Sequence, residues 1–215
     1  MVVAPRSHRA RLAFVARDMV RNTPFALRAQ TVIANNVAGD GIIWKVTGGA
    51  KQRGEAFRQA LKAHFDTTAI DANGRCNLYG LQRLVMNCVV DSGEALIRRR
   101  RRRNSDGFAL PFQIEVLEPD FIDTSRDTFI ALGTAGAGNE IRDGIEYDAI
   151  GRRVAYYLYD QHPGSASSLR SLTSRRVPAS EILHIYRQDR PGQNRGVTWF
   201  APIAMAMQDL DDMQD

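Results

Sequence analysis

Six consecutive arginines, Arg98 to Arg103, form the densest run of charge-bearing side chains in this sequence. A guanidinium carries a fixed positive charge and a planar fork of donors that matches phosphate and carboxylate oxygens, so the run suits ion pairing. Three uses fit it. It can be a solvated hairpin in a chain that uses arginine as its basic residue, since only Lys45, Lys51 and Lys62 are lysines. It can be a salt-dependent, sequence-blind contact with nucleic-acid phosphates, or an ion-pair surface for a neighbouring subunit. Catalytic patterns are missing: no P-loop, GxSxG or HExxH occurs. Asp120, Asp123, Glu140 and Glu146 are scattered, with no spacing that implies a metal. His162 sits in a turn, Asp160-Gln161-His162-Pro163, and reads as a turn-stabilising group. His64 reads as a boundary residue and His184, in an apolar run, as a satisfied core histidine. Cys76 and Cys88 form no CxxC and read as reduced thiols, with Cys88 on the apolar stripe of a helix. No catalytic, metal-binding or cofactor-binding residue is assigned, and no cofactor is expected.

The elements that must position these groups belong to an ordinary globular chain. It has 215 residues, 44% hydrophobic and 25% charged, enough for one medium domain or two small ones. Its net charge of +5 is largely the arginine run, so the rest is close to neutral, unlike the spread positive surface of a general nucleic-acid binder. No apolar run approaches the roughly 20 residues of a membrane helix. The N-terminus is Arg-rich and acid-poor, lacks the apolar core of a secretory signal and runs straight into a helical pattern.

In chain order the sequence predicts helices, then hairpins. Ser7 to Val20 repeats Leu12, Val15, Ala16 and Met19 at helical spacing. Thr23-Pro24 restarts a helix, Thr as cap and Pro in the first turn, with Phe25, Ala29, Val32 and Ile33 as its stripe and Gly39-Asp40-Gly41 as its end. Ile42 to Val46 reads as a short strand. Glu55 to Phe65 is a third helix with Phe57, Ala60, Leu61 and His64 on one face, and Asp71 to Gly74 a turn. Asn77 to Val90 is a fourth, carrying Leu78, Leu81, Leu84, Val85 and Cys88. Then the period becomes two. Gly93 to Arg100, a turn at Asn104 to Gly107, and alternating Phe108, Leu110, Phe112, Ile114 and Val116 predict an antiparallel hairpin packed on the fourth helix, with Pro111 marking an edge. Thr124 to Asn139 reads as loop with a possible strand at Phe129 to Leu132. Gly144 to Asp148 and Arg153 to Tyr159 predict a hairpin with Gly151 left-handed at the turn. Gly164 to Ser174 reads as a mobile Ser-rich loop, and Ile182 to Tyr186 as a buried strand. A last helix starts near Trp199, capped by Thr198, with Ile203, Ala206, Met207 and Leu210 as its stripe. Asp209, Asp211, Asp212 and Asp215 crowd its end against the helix dipole, as expected of a longer helix interrupted. The fold class is α+β: residues 1–92 mainly helical, 93–187 β-rich, and 188–215 a loop and the start of a helix.

The segments Val177-Pro178-Ala179 through Ile182-Leu183-His184 and Arg190-Pro191-Gly192-Gln193-Asn194-Arg195-Gly196 resemble the portal proteins of lambda-like tailed bacteriophages. Further matches run through the chain: Ala16 to Ala29, Asn35 to Ile42, Asp91 to Arg99, Leu110 to Asp123 and Asp143 to Gly164. Ala38-Gly39-Asp40-Gly41 stands where the family usually has Val-Gly-x-Gly. Each piece is weak alone; their order makes the resemblance specific. It implies a wing- or clip-like region lying before the stem and crown of a longer subunit. It implies a homo-oligomeric ring, dodecameric in the full-length protein, at the capsid vertex of the virion, assembled in the host cytoplasm. Double-stranded DNA would pass through it without sequence preference, and terminase, head-completion and capsid proteins would dock on it. ATP hydrolysis would belong to the terminase, so the chain itself is not expected to be an enzyme. Arg190, Gly192, Gln193, Arg195 and Gly196 are motif residues with a structural role under this resemblance. The alternative is a stand-alone non-specific DNA-binding protein using Arg98 to Arg103.

Overall fold

The computed structural model describes residues 6–47, 51–127, 139–165 and 173–204. Two helices begin the chain. α1 (Arg6–Asn22) buries Ala13, Ala16 and Met19, and α2 (Pro24–Ala38) buries Ala26, Gln30 and Ala34. Both sets recur at three or four residues, and the small side chains let the axes approach closely. The core-facing stripe of α2 is rotated from the predicted one. Phe25 and Val32 are exposed, because alanines and Gln30 take the contact with α4. Pro24 occupies the first turn, Thr23 precedes it in extended conformation, and Gly39 ends the helix at φ 52°.

Ile42 to Val46 is not a strand. It pairs with no strand; instead Ile42 N–H donates to Gln82 Oε1 at 2.5 Å and Gln82 Nε2 donates back to Ile42 O at 3.3 Å. α3 (Lys51–Phe65) begins four residues earlier than the pattern suggests. The expected face is the buried one at Ala60, Leu61 and His64, but Phe57, a turn earlier, is half exposed. His64 is buried completely, correcting its boundary placement, and its Nε2 lies 2.8 Å from Phe112 O. The turn at Asp71 to Gly74 is built by the Asp71 carboxylate, which accepts from the backbone N–H groups of Asn73, Arg75 and Cys76.

α4 (Leu78–Ser92) is the central helix. Asn77 caps it by accepting from Gly80 N–H at 2.9 Å, and Gly93 closes it in the left-handed region at φ 89°. Leu81, Val85, Cys88, Val89 and Val90 are buried; Leu84 is not. Past Gly93 the chain turns back along the helix as β1 (Glu94–Arg101), which pairs antiparallel with β2 (Phe112–Leu117) and β7 (Ile182–Tyr186) in the order β2-β1-β7. β2 is thus an edge strand, but it starts at Phe112 and leaves Phe108 to Pro111, the proline included, outside the ladder. β7 is less buried than its apolar sequence suggests, because it too is an edge, and Leu183 and Ile185 face outward.

A second antiparallel sheet has the order β3-β4-β5-β6: β3 (Glu140–Arg142), β4 (Ile145–Tyr147), β5 (Arg153–Tyr159) and β6 (Ser174–Pro178). The β4–β5 turn carries Gly151 at φ 81°, as predicted. β1 separates two cores. Leu96 faces Leu117, Ile122, Ile145, Tyr147, Tyr156, Leu158 and Val177 between the sheets, while Ala95 and Ile97 face α4 with Val116. The expected strand at Phe129 to Leu132, most of the Ser-rich loop and the end of the last helix lie outside the described residues. After β7 the chain crosses back to the helices. Trp199 N–H and the Thr198 hydroxyl both donate to Val90 O at 3.0 Å, and Phe200 enters the α1–α2–α4 core.

Candidate functional site

The pleat of β1 divides the arginine run. Successive side chains of a strand point to opposite faces. Arg98 and Arg100 follow Leu96 on the inter-sheet side, where both are half-buried, and Arg102 beyond them is also half-buried. Arg98 lies opposite Glu115 and Ile182, and burial, then the charge of Arg100, pulls its pKa down. Arg100 pairs with Glu115 at 3.3 Å, and Arg102 donates from Nε to Gln113 Oε1 at 2.7 Å. Gln113 is itself buried, its Nε2 donating to Ala69 O and Asp71 O. Arg99, Arg101 and Arg103 are exposed. Arg101 reaches only a 3.9 Å contact with Glu181, and Arg103 joins the turn through its backbone N–H, which donates to Asp106.

The loop carrying Arg190, Gly192, Gln193, Arg195 and Gly196 is organised on a carboxylate at the start of β1. Glu94 is 3% exposed. Its Oε1 accepts from Arg195 Nε at 2.7 Å, and its Oε2 from Gly196 N–H at 2.7 Å and from His184 Nε2 at 2.9 Å. Burial opposes the charge on Glu94, but Arg195 and His184 hold its pKa well below the usual carboxylate range. Burial lowers the pKa of His184, so the neutral ring donates from Nε2 and presents Nδ1, 3.4 Å from both Arg153 Nη1 and Tyr156 Oη. Arg153 then donates to the Tyr186 hydroxyl at 2.6 Å and to Asn194 O at 3.1 Å. Gln193 ties the loop internally: Oε1 accepts from Asp189 N–H, and Nε2 donates to Arg187 O and Arg195 O. Gly192 takes the left-handed turn position at φ 75°, and Arg190 is exposed.

Gly196 has a second reason to be glycine. A Cβ there would lie 2.1 Å from Gly93 O, and a Cβ on Gly93 would lie 2.3 Å from the Val197 carbonyl carbon. Two backbones cross in contact at this point. The network holds no nucleophile and presents no open coordination position: every member is engaged with another, so its chemistry is that of a lock. The resemblance placed Arg195 and Gly196 in the motif but did not reach Glu94, Arg153 and Tyr186. The available signal was a carboxylate set directly after a helix-ending glycine and before the apolar run Ala95-Leu96-Ile97.

The scattered carboxylates do not converge. Asp123 accepts from Ser125, Ser174 and Tyr159, and although burial would raise its pKa these hydroxyls hold it at about 2. Glu146 is held at about 2 chiefly by Arg176. His162 accepts from Gly164 N–H at its Nδ1, the turn role expected of it. Among the described residues Glu118, Asp120 and His162 come close enough to share a cation, but Arg17 already lies 2.8 Å from both carboxylates. Cys88 is buried, and burial pushes its thiol pKa well up.

Comparison with known proteins gives the chain its relatives. A family model described as "Phage portal protein, lambda family" matches residues 3–215. A protein described as "Probable portal protein", from Halomonas phage phiHAP-1, is 28% identical over 193 residues, covering 86% of this chain and 36% of that protein. A chain of a structure described as "Neck of native GTA particle computed with C12 symmetry" shares the fold at a TM-score of 0.52 and 14% identity, over 96% of this chain and 42% of its own length. The chain therefore spans less than half of the length of either relative.

Proposed function

The chain belongs to the lambda family of phage portal proteins, and from that membership we propose that it forms the outer, wing- or clip-like part of a portal subunit at the capsid vertex. The observation that carries this is the family match over nearly the whole chain. A neck of C12 symmetry in the structural relative supports a ring of twelve such subunits. In such a ring each subunit meets its neighbours through two different surfaces, and rotation closes the assembly. DNA enters and leaves through the centre during packaging and ejection. Terminase, which hydrolyses ATP, docks first, and head-completion proteins follow; capsid protein surrounds the ring in the virion, after assembly in the host cytoplasm.

Within the subunit, residues 1–92 are the helical part, 93–187 the β-rich part and 188–215 the joint toward the remaining portal regions, the stem and crown. The motif residues Arg190, Gly192, Gln193, Arg195 and Gly196 hold that joint, with Glu94 as the anchor of its buried half. Arg98 to Arg103 meet passing phosphates or a neighbouring subunit. A buried ionic lock suits a part that must keep its orientation while force acts on the ring, because separating the two charges leaves both desolvated and unpaired.

The test is removal of the gene from its own phage, with the intact gene supplied in trans. The expected result is heads without DNA, restored to filled heads by the supplied gene. Filled, infectious particles in its absence would refute the portal role. Salt-dependent DNA binding together with normal packaging would favour the stand-alone DNA-binding alternative.

A further inference from the structure

We propose that the arginine run is divided, by the pleat of β1 as far as Arg101 and by the turn beyond it, into two working sets, in which Arg98, Arg100 and Arg102 fasten the hairpin while Arg99, Arg101 and Arg103 form a contact for the phosphate backbone of double-stranded nucleic acid. The inference rests on the portal reading for the presence of DNA, and on the structure for which arginines can reach it. The inward set is occupied. Arg100 pairs with Glu115, and Arg102 donates to the buried Gln113. Arg98 is half-buried and faces Glu115 across the ladder.

The outward set is exposed, and among the described residues no ion pair holds the guanidinium of Arg99 or Arg103, although the Asp106 carboxylate accepts from the Arg103 backbone N–H. Arg101, with a side chain 74% exposed, has only Glu181 at 3.9 Å. Alternate residues of a strand repeat at about 6.8 Å, against the ~3.4 Å axial spacing of phosphates along one strand of B-DNA. Because the phosphates also wind around the axis, successive ones lie roughly 7 Å apart in space, so Arg99 and Arg101 can address neighbouring phosphates of one strand without bending.

The surroundings favour nucleic acid over a protein partner. Protein interfaces centre on apolar and aromatic anchors, whereas phosphate contacts need only charge and donors. Arg99 and Arg101 stand across the ladder from Ile114 and Phe112, which are half-buried, so what this stretch of the face exposes is chiefly guanidinium; the exposed Leu183 lies further along, opposite Ile97. The outward surface of the run offers no array of amide or carboxylate side chains to read base edges, so the contact is blind to sequence.

The experiment measures binding of the whole chain to a short DNA duplex, and to a duplex of shuffled sequence, by fluorescence anisotropy across a salt series. Three proteins are compared: the unsubstituted chain, R99Q/R101Q/R103Q, and R98Q/R100Q/R102Q, with R102Q alone as the milder inward variant should the inward triple not fold. The unsubstituted chain is expected to bind both duplexes equally. The slope of log affinity against log salt should fall in magnitude by about 2.7 in the outward triple, about 0.9 for each guanidinium, with its melting temperature unchanged. The inward variants should keep the slope and melt lower. No measurable binding by the unsubstituted chain at low salt, or an outward triple with an undiminished slope, overturns the proposal. None of these results touches the portal reading, whose own failure would appear as filled heads after gene removal.

Discussion

Replacing Glu94 by glutamine changes almost no volume and removes one charge from the centre of the lock. Four donors converge on that carboxylate. Arg195 Nε and Nη2 approach Oε1, and Gly196 N–H and His184 Nε2 approach Oε2. A glutamine has one oxygen, so its amide NH2 must face donors whichever way it is turned. If it faces His184, that ring can change tautomer and accept, but Gly196 N–H cannot. If it faces Arg195, a guanidinium whose side chain is 6% exposed loses its counter-charge. Removing one partner of a buried ion pair costs about 3–5 kcal/mol, a large share of the roughly 5–15 kcal/mol that holds a domain folded. At about 2–4 °C per kcal/mol for a chain of this size, thermal unfolding followed by circular dichroism should show a fall in Tm of about 6–20 °C.

The pH profile adds a sign. The folded pKa of Glu94 lies below its ordinary value of 4.5, so its contribution is complete above that value and is lost as pH falls toward the folded pKa. His184 is held below its ordinary value of 6.5, so the unfolded state takes up a proton first and stability falls as pH drops below 6.5. The unsubstituted chain should lose stability on acidification in two stages, and Glu94→Gln should shrink the lower one, to which Asp123 and Glu146 also contribute. A variant within about 1 kcal/mol of the unsubstituted chain at pH 7, unfolding with the same denaturant slope, would refute the claim that the buried pair secures the loop.

Three further outcomes follow from the same structure. Gly196→Ala should destabilise by several kcal/mol, because its Cβ meets the Gly93 backbone, whereas Gly192→Ala, left-handed but in open space, should cost only about 1–2 kcal/mol in urea unfolding. Asp91, whose pKa is raised by burial to about 6, binds its proton more tightly folded than unfolded, so its contribution is fully present below the ordinary value of 3.8 and is lost as pH rises through 6; Asp91→Asn should raise stability at pH 8 by about 2 kcal/mol and flatten that interval. Leu81→Ala, in the core of α4, should cost about 2–5 kcal/mol, while Leu84→Ala, on the exposed side of the same helix, should stay within about 1 kcal/mol.

Punctuation residues and periodicity carried most of the fold. Asn77 and Gly93 bound α4, and Gly151 and the flanking alternation define the β4–β5 hairpin, because caps and turns are set by a few residues acting locally. Ile42 to Val46 shows where this stops. A short apolar run becomes a strand only when its backbone groups pair with another strand, and here the Gln82 side chain took those of Ile42 instead. α2 shows the same limit in another form: which stripe is buried depends on the neighbouring helix, so Phe25 and Val32 stayed outside. The motif loop was visible by resemblance, but its anchor was not, since Glu94 lies about a hundred residues away and nothing local marks a carboxylate as buried. The split of the arginine run needed the register of β1.

The crossing of Gly93 and Gly196 also orders events in time. β1 can pair with β2 as soon as residue 117 has been made, since the hairpin is local. Its other edge waits for β7, and the Glu94 carboxylate waits longer still, for Arg195 and Gly196, contacts that span 101 and 102 positions. Long loops of this kind close late and slowly. During synthesis the ribosome therefore presents a half-built sheet, with one edge unpaired and a bare carboxylate at the start of its central strand. An edge in that state pairs readily with other strands, and the charge on Glu94, still hydrated, resists burial against the wrong one. The residue that locks the finished subunit thus guards the nascent one, until its own partner emerges.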